Sequence, residues 1–386
     1  MPEDPPDLLG LPDWVNSLGL PPEATAAIDR WWKPVWEALR DDLKLLPAHP
    51  GRAAQDGAEL IEFEAVNELQ PGPKWKVRFD AMWPTYRSWY LQDGEDKRPD
   101  LATCRRMLAR HMPELVPTYD RLVELAGGDE LAARMLSLYR PPGFVVGCSQ
   151  GAWTRDTPVL VRNYDYPVSR LEGIVYLTRW SGRRVIGMSD CLWGLLDGVN
   201  DAGLAVSLTF GGRRDVGDGF AISLVVRYLL ETCETVAQAR TALARIPVHA
   251  AQNVTLLDRS SEFLTAYVGP GRAPEFHAVA ATTNHQGEVE WPEYARAIRT
   301  VERERCVLAL LNDPHLTRES FIAAFVAPPL HNTEYVRGFG TIYTAAYYPT
   351  EGRVEYRWPG SVWEQSFDRF EETEHAQTFT ERPAAA

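Results

Sequence analysis

Gly147-Cys148-Ser149-Gln150-Gly151 is followed, after a short turn, by Val161-Arg162-Asn163-Tyr164-Asp165-Tyr166. The two segments fall on short apolar runs, Phe144 to Trp153 and Val159 to Tyr164, the second extending two residues beyond its run; runs bounded by turn residues are the pattern of successive β-strands. Just upstream, Arg140-Pro141-Pro142-Gly143 ends a helical regime. Before that break the chain is rich in Trp, Arg and Glu. Apolar residues recur at helical spacing over Pro22 to Leu45 (Ile28, Trp31, Trp32, Val35, Trp36, Leu39), Pro99 to Met112 and Asp129 to Tyr139. Glu59 to Glu68 fits either a helix or a strand.

Beyond the break the strand pattern continues through Ile174–Trp180 and Arg184–Met188. Asn200-Asp201-Ala202-Gly203 then turns Leu195–Val199 into Leu204–Phe210. Two helices are expected at Gly219–Cys233 and Val236–Ile246, the second with a capping box from Thr235 and Gln238. A hairpin, Asn253–Leu257 with Phe263–Val268, and a strand over Phe276–Thr283 come next. Helices at Pro292–Leu311 and Arg318–Phe325 precede a last hairpin, Thr341–Tyr347 with Arg353–Trp358. Strands in hairpins, alternating twice with paired helices, call for an α+β fold in which helices cover antiparallel sheets: a four-layer α/β/β/α sandwich. The reading divides the chain into a mainly helical N-terminal segment, 1–147, a catalytic domain, 148–370, and a polar flexible tail, 371–386.

With 386 residues, 45% of them hydrophobic, the chain can bury a large core. The formal net charge of −13 argues against nucleic acid or an anionic membrane as partner, although a pocket can still be locally basic. No apolar run approaches the length of a membrane-spanning helix, and Met1-Pro2-Glu3-Asp4-Pro5-Pro6 is unlike a signal peptide. Five widely spaced cysteines without a CxxC pair fit a reducing compartment rather than disulfides or zinc. The eight histidines show no HExxH spacing. The expectation is a cytoplasmic protein without a metal and without a nucleotide-fold motif.

A thiol titrating near 8.5 is a weak nucleophile until a base removes its proton, and no histidine lies close in sequence to Cys148. Cutting the Gly147–Cys148 bond would create a base on the nucleophile's own residue, an α-amine with a pKa of about 7.7–8.0. Gly147 leaves room for that peptide to approach the thiol. Strand periodicity puts Arg162, Tyr164 and Tyr166 on one face, with Asn163 and Asp165 on the other. Both Arg162 and Asp165 reach the nucleophile only if a bulge intervenes or one acts from the strand end.

Cysteine at a strand start with Arg162-Asn163-Tyr164-Asp165 on the next strand resembles the linear-amide N-terminal-nucleophile (Ntn) hydrolases, namely isopenicillin N acyltransferases and, more distantly, choloylglycine hydrolases. Asp197-Gly198-Val199-Asn200-Asp201-Ala202-Gly203-Leu204 resembles their "DGxNExGL" hairpin. Thr282-Thr283-Asn284-His285 resembles their "TNH" segment, and Thr341 to Gly360 the terminal hairpin of the acyltransferase branch. The resemblance implies an autoproteolytic cysteine amide hydrolase or acyltransferase, cut between Gly147 and Cys148, acting on amide or thioester bonds through a Cys148 acyl-enzyme. It implies that Asp165 orients the α-ammonium, Arg162 supports the thiolate, and Asn284 donates to the oxyanion. No cofactor is implied; acyl-CoA would enter as a substrate. The partners expected are a small-molecule or peptide amide substrate and, after cutting, the chain's own other fragment in a heterodimer.

Thr209 stands where choloylglycine hydrolases carry an asparagine, which argues against bile-salt recognition. The 147 residues before Cys148 match the acyltransferase branch instead, with a retained N-terminal subunit whose tryptophans are mostly core. Cys104, Cys191, Cys233 and Cys306 read as buried hydrophobes, His285 as structural, and Arg213-Arg214 as a loop pair able to meet a carboxylate or phosphate. The rival reading is an uncut, non-catalytic protein of the same fold that binds a small amide or peptide.

Overall fold

Turn-punctuated apolar runs become strands, and the helical periods between them become covering helices. The computed structural model describes residues 58–143, 145–335 and 340–380. A first strand, β1 (Ala58–Asn67), leads into helices α1 (Pro73–Tyr90), α2 (Leu101–His111), α3 (Val116–Leu125) and α4 (Glu130–Leu136). Strands β2 (Gly147–Trp153), β3 (Val159–Asp165), β4 (Ile174–Thr178), β5 (Val185–Asp190), β6 (Gly194–Asn200) and β7 (Leu204–Phe210) follow. After helices α5 (Ile222–Thr232) and α6 (Val236–Leu243) come β8 (Gln252–Asp258), β9 (Phe263–Val268), β10 (Glu275–His277) and β11 (Ala281–Thr282). Helices α7 (Pro292–Ala297), α8 (Thr300–Asn312) and α9 (Arg318–Ala324) precede β12 (Thr341–Tyr348), β13 (Arg353–Trp358), β14 (Ser361–Ser366) and β15 (Glu374–Thr380).

The strands form two sheets, of order β10-β9-β8-β7-β6-β5-β4-β1-β15 and β11-β2-β3-β12-β13-β14. They face each other through β2 and β3 against β7, and β12 against β6. Helix α5 covers the outer face of the larger sheet at β6 and β7, while α8 covers β2 and β11 of the smaller one. This is the expected four-layer α/β/β/α sandwich. With both faces covered, every residue of β2 and β3 is buried, so any charge on these strands needs a partner inside the protein. Among the described residues, no helix is long and apolar enough to cross a membrane.

Several boundaries differ from expectation for local reasons. The ambiguous 59–68 segment is β1, with Ile61, Phe63 and Ala65 buried and Leu60 exposed, a period of two. The tail expected to be flexible instead supplies β15, which pairs antiparallel with β1 from Thr380 opposite Ala58 to Glu374 opposite Glu64. Only Phe379 of this strand is buried, so its composition reads as polar; the edge hydrogen bonds of β1 recruit it. Residues 381–386 lie outside the described residues, as does the helix expected over 22–45. The strand expected over 276–283 splits, because the chain crosses from one sheet (β10) to the other (β11). The helix expected over 292–311 breaks at Arg299, whose φ of 53° is left-handed. Thr235 does cap α6 through Gln238 N, but Gln238 Oε1 returns to Glu234 N, one residue short of the box.

The segment before Cys148 is built into this sandwich. β1 runs parallel to β4 inside the larger sheet. Trp75, Phe79, Tyr86, Trp89 and Tyr90 of α1 are buried, and Trp75 Nε1 donates to Leu192 O at 2.9 Å. The rings of Trp75, Phe79 and Trp83 stack in series.

Candidate active site

Cys148 sits one residue inside β2, directly across from Tyr164, and Gly147 sits across from Asp165. Alternation sends the Cys148, Gln150, Arg162 and Tyr164 side chains into the space between the sheets. Gln150 Nε2 there donates to Thr255 Oγ1 of β8 at 2.7 Å. Arg162 Nη2 lies 3.4 Å from Cys148 Sγ. The same guanidinium, wholly buried, pairs through Nη1 with Asp197 and with Leu196 O (3.0 Å), and packs over the Tyr164 ring. Asp197 also accepts from Tyr343 Oη, at 2.7 Å, and from Tyr347 Oη. A buried cation beside the sulfur is therefore held by a buried carboxylate with its own donors.

This accounts for the Asp197-Gly198-Val199-Asn200 motif. Asp197 anchors Arg162. A Cβ at Gly198 would lie 2.8 Å from Leu230 of α5, so glycine lets the helix close on the sheet. Asn200 Nδ2 caps the α5 end by donating to Leu230 O and Cys233 O, and its Oδ1 accepts from Leu204 N across the turn.

Asp165 takes the opposite face, as the period of two requires. Its Oδ1 accepts from Thr341 Oγ1 at 2.7 Å, where a register shift in β12 brings Thr341 opposite it. Burial pushes the Asp165 carboxyl up, against the pull of Arg303 and Thr341. A Cβ at Gly147 would stand 3.0 Å from that of Asp165, so glycine is what lets the two strands meet at this point.

Arg303 of α8 joins these groups. Its Nη1 donates to Cys148 O (2.5 Å) and Ser149 Oγ (2.7 Å) and lies 3.4 Å from Asp165 Oδ2; its Nη2 donates to Asn284 Oδ1 (2.9 Å). Sequence reasoning missed this residue, which is 155 positions from Cys148. The available signal was an arginine on the same helix face as Thr300 and Val307, a face that is buried.

Asn284 Oδ1 also accepts from Cys148 N at 2.8 Å. Its Nδ2 donates to Val146 O (3.2 Å) and Phe210 O (3.3 Å). That N–H is thus engaged by the carbonyl two residues before Cys148, and Tyr294 Oη donates to the same carbonyl. Thr209 and Asn253 brace the segment by reaching Thr283 O. His285 pairs with Glu304 at 3.2 Å and contacts Thr300, a structural role. The thiol of Cys148 is fully buried, and burial raises its pKa against the lowering effect of Arg162. The structure thus brings together Gly147, Cys148, Arg162, Asp165 and Asn284, and adds Arg303.

The α/β/β/α sandwich thus sets a buried arginine at the sulfur of a strand-borne cysteine, with an asparagine and a second arginine at its backbone. Residues 153–363 match the acyl-coenzyme A:6-aminopenicillanic acid acyl-transferase family, a span that includes Arg162, Asp165, Asn284 and Arg303 and begins five residues after Cys148. The chain belongs to that family. Among curated proteins no sequence matches. Solved structures with similarity include penicillin V acylase from Agrobacterium tumefaciens (15% identity, 60% of this chain and 90% of that one, TM-score 0.43). A mutant conjugated bile acid hydrolase from Clostridium perfringens (12% identity, 59% and 96%, TM-score 0.41) is another. A third is a Caenorhabditis elegans N-acylethanolamine-hydrolyzing acid amidase ortholog (14% identity, 53% and 93%, TM-score 0.39).

Proposed function

We propose that this protein is a cysteine acyltransferase or amidohydrolase that cuts itself between Gly147 and Cys148 and then works through an acyl-enzyme on Cys148. The observation that carries this reading is the convergence on one residue of a cation at its sulfur, Arg162, and of Asn284 and Arg303 at its backbone. Backbone groups are paired at any buried residue, so the arginine at the sulfur is the contact that sets Cys148 apart from a structural cysteine.

In the first step Sγ attacks the Gly147 carbonyl carbon. The S–C bond forms as the C–N bond to Cys148 breaks, and the thiol proton passes to the leaving nitrogen. Water then cleaves the thioester, leaving a Gly147 carboxylate, a free thiol and a free α-amine. Arg162 favours the thiolate in this step, and Asn284 Oδ1 holds the departing N–H. The pairing of Gly147 with Asp165 in the strand register supports Asp165 as the carboxylate that orients the new ammonium. In turnover the neutral α-amine takes the thiol proton, Sγ accepts the acyl group of an amide or thioester, and water or an amine releases it. Withdrawal of the segment before Cys148 frees Asn284 Nδ2 from Val146 O and makes that N–H available to an oxyanion. Burial of the thiol in the continuous chain supports the same order of events, since substrate needs this segment moved.

The test is to incubate the protein with p-nitroanilides and thioesters of several carboxylic acids and to digest it for mass analysis. The expected result is nitroaniline or thiol release with an acyl adduct on the Cys148 peptide, both lost in Cys148→Ala. Turnover that survives in Cys148→Ala contradicts the assignment.

A further inference from the structure

A cavity of about 620 Å³ is lined by residues from both sides of Cys148 in the chain, and no step above uses it. Val145, Phe210 and Trp291 line its inner part. Phe210 and Trp291 pack on Tyr294 with ring centroids 5.4 and 5.1 Å apart, and Tyr294 holds the Val146 carbonyl. Val145 of this lining is three residues from Cys148 in the chain.

Its walls are basic on an acidic protein. Lys97, Arg98, Arg140, Arg213 and Arg214 line it, against Asp93 and Asp215. Arg98, Arg140 and Arg213 have carboxylate partners in Asp93, Asp218 and Glu290, two of which, Asp218 and Glu290, are on exposed side chains. Exposed ion pairs are weak and can yield to a ligand. The Nε of Arg98, the Nε of Arg213 and the Nε1 of Trp291 are buried with no acceptor among the described residues. Buried donors are nearly always paired, so these three N–H groups on cavity-lining residues are ones that a ligand can satisfy once the side chains turn toward it.

His249 adds the opposite polarity. Its Nδ1 is 2.6 Å from Gly217 O, and since a carbonyl only accepts, Nδ1 carries the proton. Burial, with the charges of Arg98 and Arg140, holds the ring below the usual histidine range, so it is neutral. Nε2 is then an acceptor, buried and without a partner among the described residues.

We propose that this cavity is a composite anion subsite: Arg98, from before Cys148, and Arg213 with Trp291, from after it, bind a carboxylate or phosphate of the ligand, while His249 Nε2 accepts from a neighbouring N–H or O–H. That the ligand is the acyl-transfer substrate rests on the function proposed above; the subsite itself does not. Residues on both sides of the cut line one cavity, so the N-terminal segment sets specificity rather than only shielding the thiol.

The test uses full-length Cys148→Ala protein, which neither cuts nor turns over, in isothermal titration at fixed ionic strength. The probes are N-acetylglycine, inorganic phosphate and, as neutral control, N-acetylglycine amide. Saturable binding of at least one anion is expected, with the amide about tenfold weaker or worse, and a further loss of about tenfold in Arg98→Gln or Arg213→Gln. Which anion binds separates a carboxylate ligand from a phosphate one. Arg213→Lys, which keeps the charge and lacks the Nε–H, falls between and guards against a folding defect, checked by unfolding temperature. Failure of both anions to saturate, or variants that bind like the parent, overturns the subsite. Binding to a protein whose wild type never cuts and never turns over sustains the subsite and removes the acyl-transfer reading.

Discussion

Asp190, a buried carboxylate that the proposed reaction does not use, allows a quantitative test of the fold's electrostatics. It closes the β5–β6 turn and is 3% exposed. Burial, and next the charge of Glu172, push its carboxyl up to about 7. Between pH 4 and 7 the folded protein therefore binds a proton that the unfolded chain has released, so stability falls as pH rises through that window. Raising a carboxyl from 3.8 to about 7 corresponds to about 4 kcal/mol once it is fully ionised. Asp190→Asn keeps the shape of the protonated acid and is neutral at every pH, with the Ser223 hydroxyl beside it to accept from the amide. Urea unfolding followed by tryptophan fluorescence at pH 4.5, 6 and 8 is the assay. The variant should be near wild type at the lowest pH and gain on it by several kcal/mol at the highest, toward that limit of about 4. A stability difference that stays flat across the three values refutes the reasoning.

Two further perturbations probe the scaffold. Arg162→Met leaves Asp197 buried without its cation, so a loss of about 3–5 kcal/mol is expected; thermal unfolding reads it, and a change under 1 kcal/mol would show that the pair is not what holds the sheets together here. Removal of residues 374–386 uncovers the β1 edge, so a lower unfolding temperature and concentration-dependent association in light scattering are expected. A monomer of unchanged stability would argue that β15 is dispensable.

How far the sequence could be read depends on what each feature needs. The Cys148 strand and its neighbour are adjacent and period-two, so the face of each side chain followed from spacing, and Arg162 and Asp165 do lie on opposite faces. Their separate uses followed from no spacing: Arg162 meets the sulfur because Asp197, 35 positions on, pins it there. Asp165 meets the backbone of Cys148 through Arg303, on a helix that no local pattern ties to β2. The role of Asn284 was taken from resemblance, and its present contacts depend on the chain before Cys148 being in place. Helix α1 was hidden because Pro84 interrupts its aromatic stripe. Strand β15 was hidden because an edge strand with one buried side chain looks like a polar tail.

The central claim, that Cys148 releases itself as an N-terminal nucleophile, is met most directly by the denaturing intact mass of the purified wild type beside Cys148→Ala. The account predicts two wild-type chains whose masses together make about 43.5 kDa, the heavier beginning Cys148-Ser149-Gln150-Gly151, and one uncut chain for the variant. A wild type that turns over substrate as a single uncut chain, or a Cys148→Ala protein that is cut at the same bond, would contradict it.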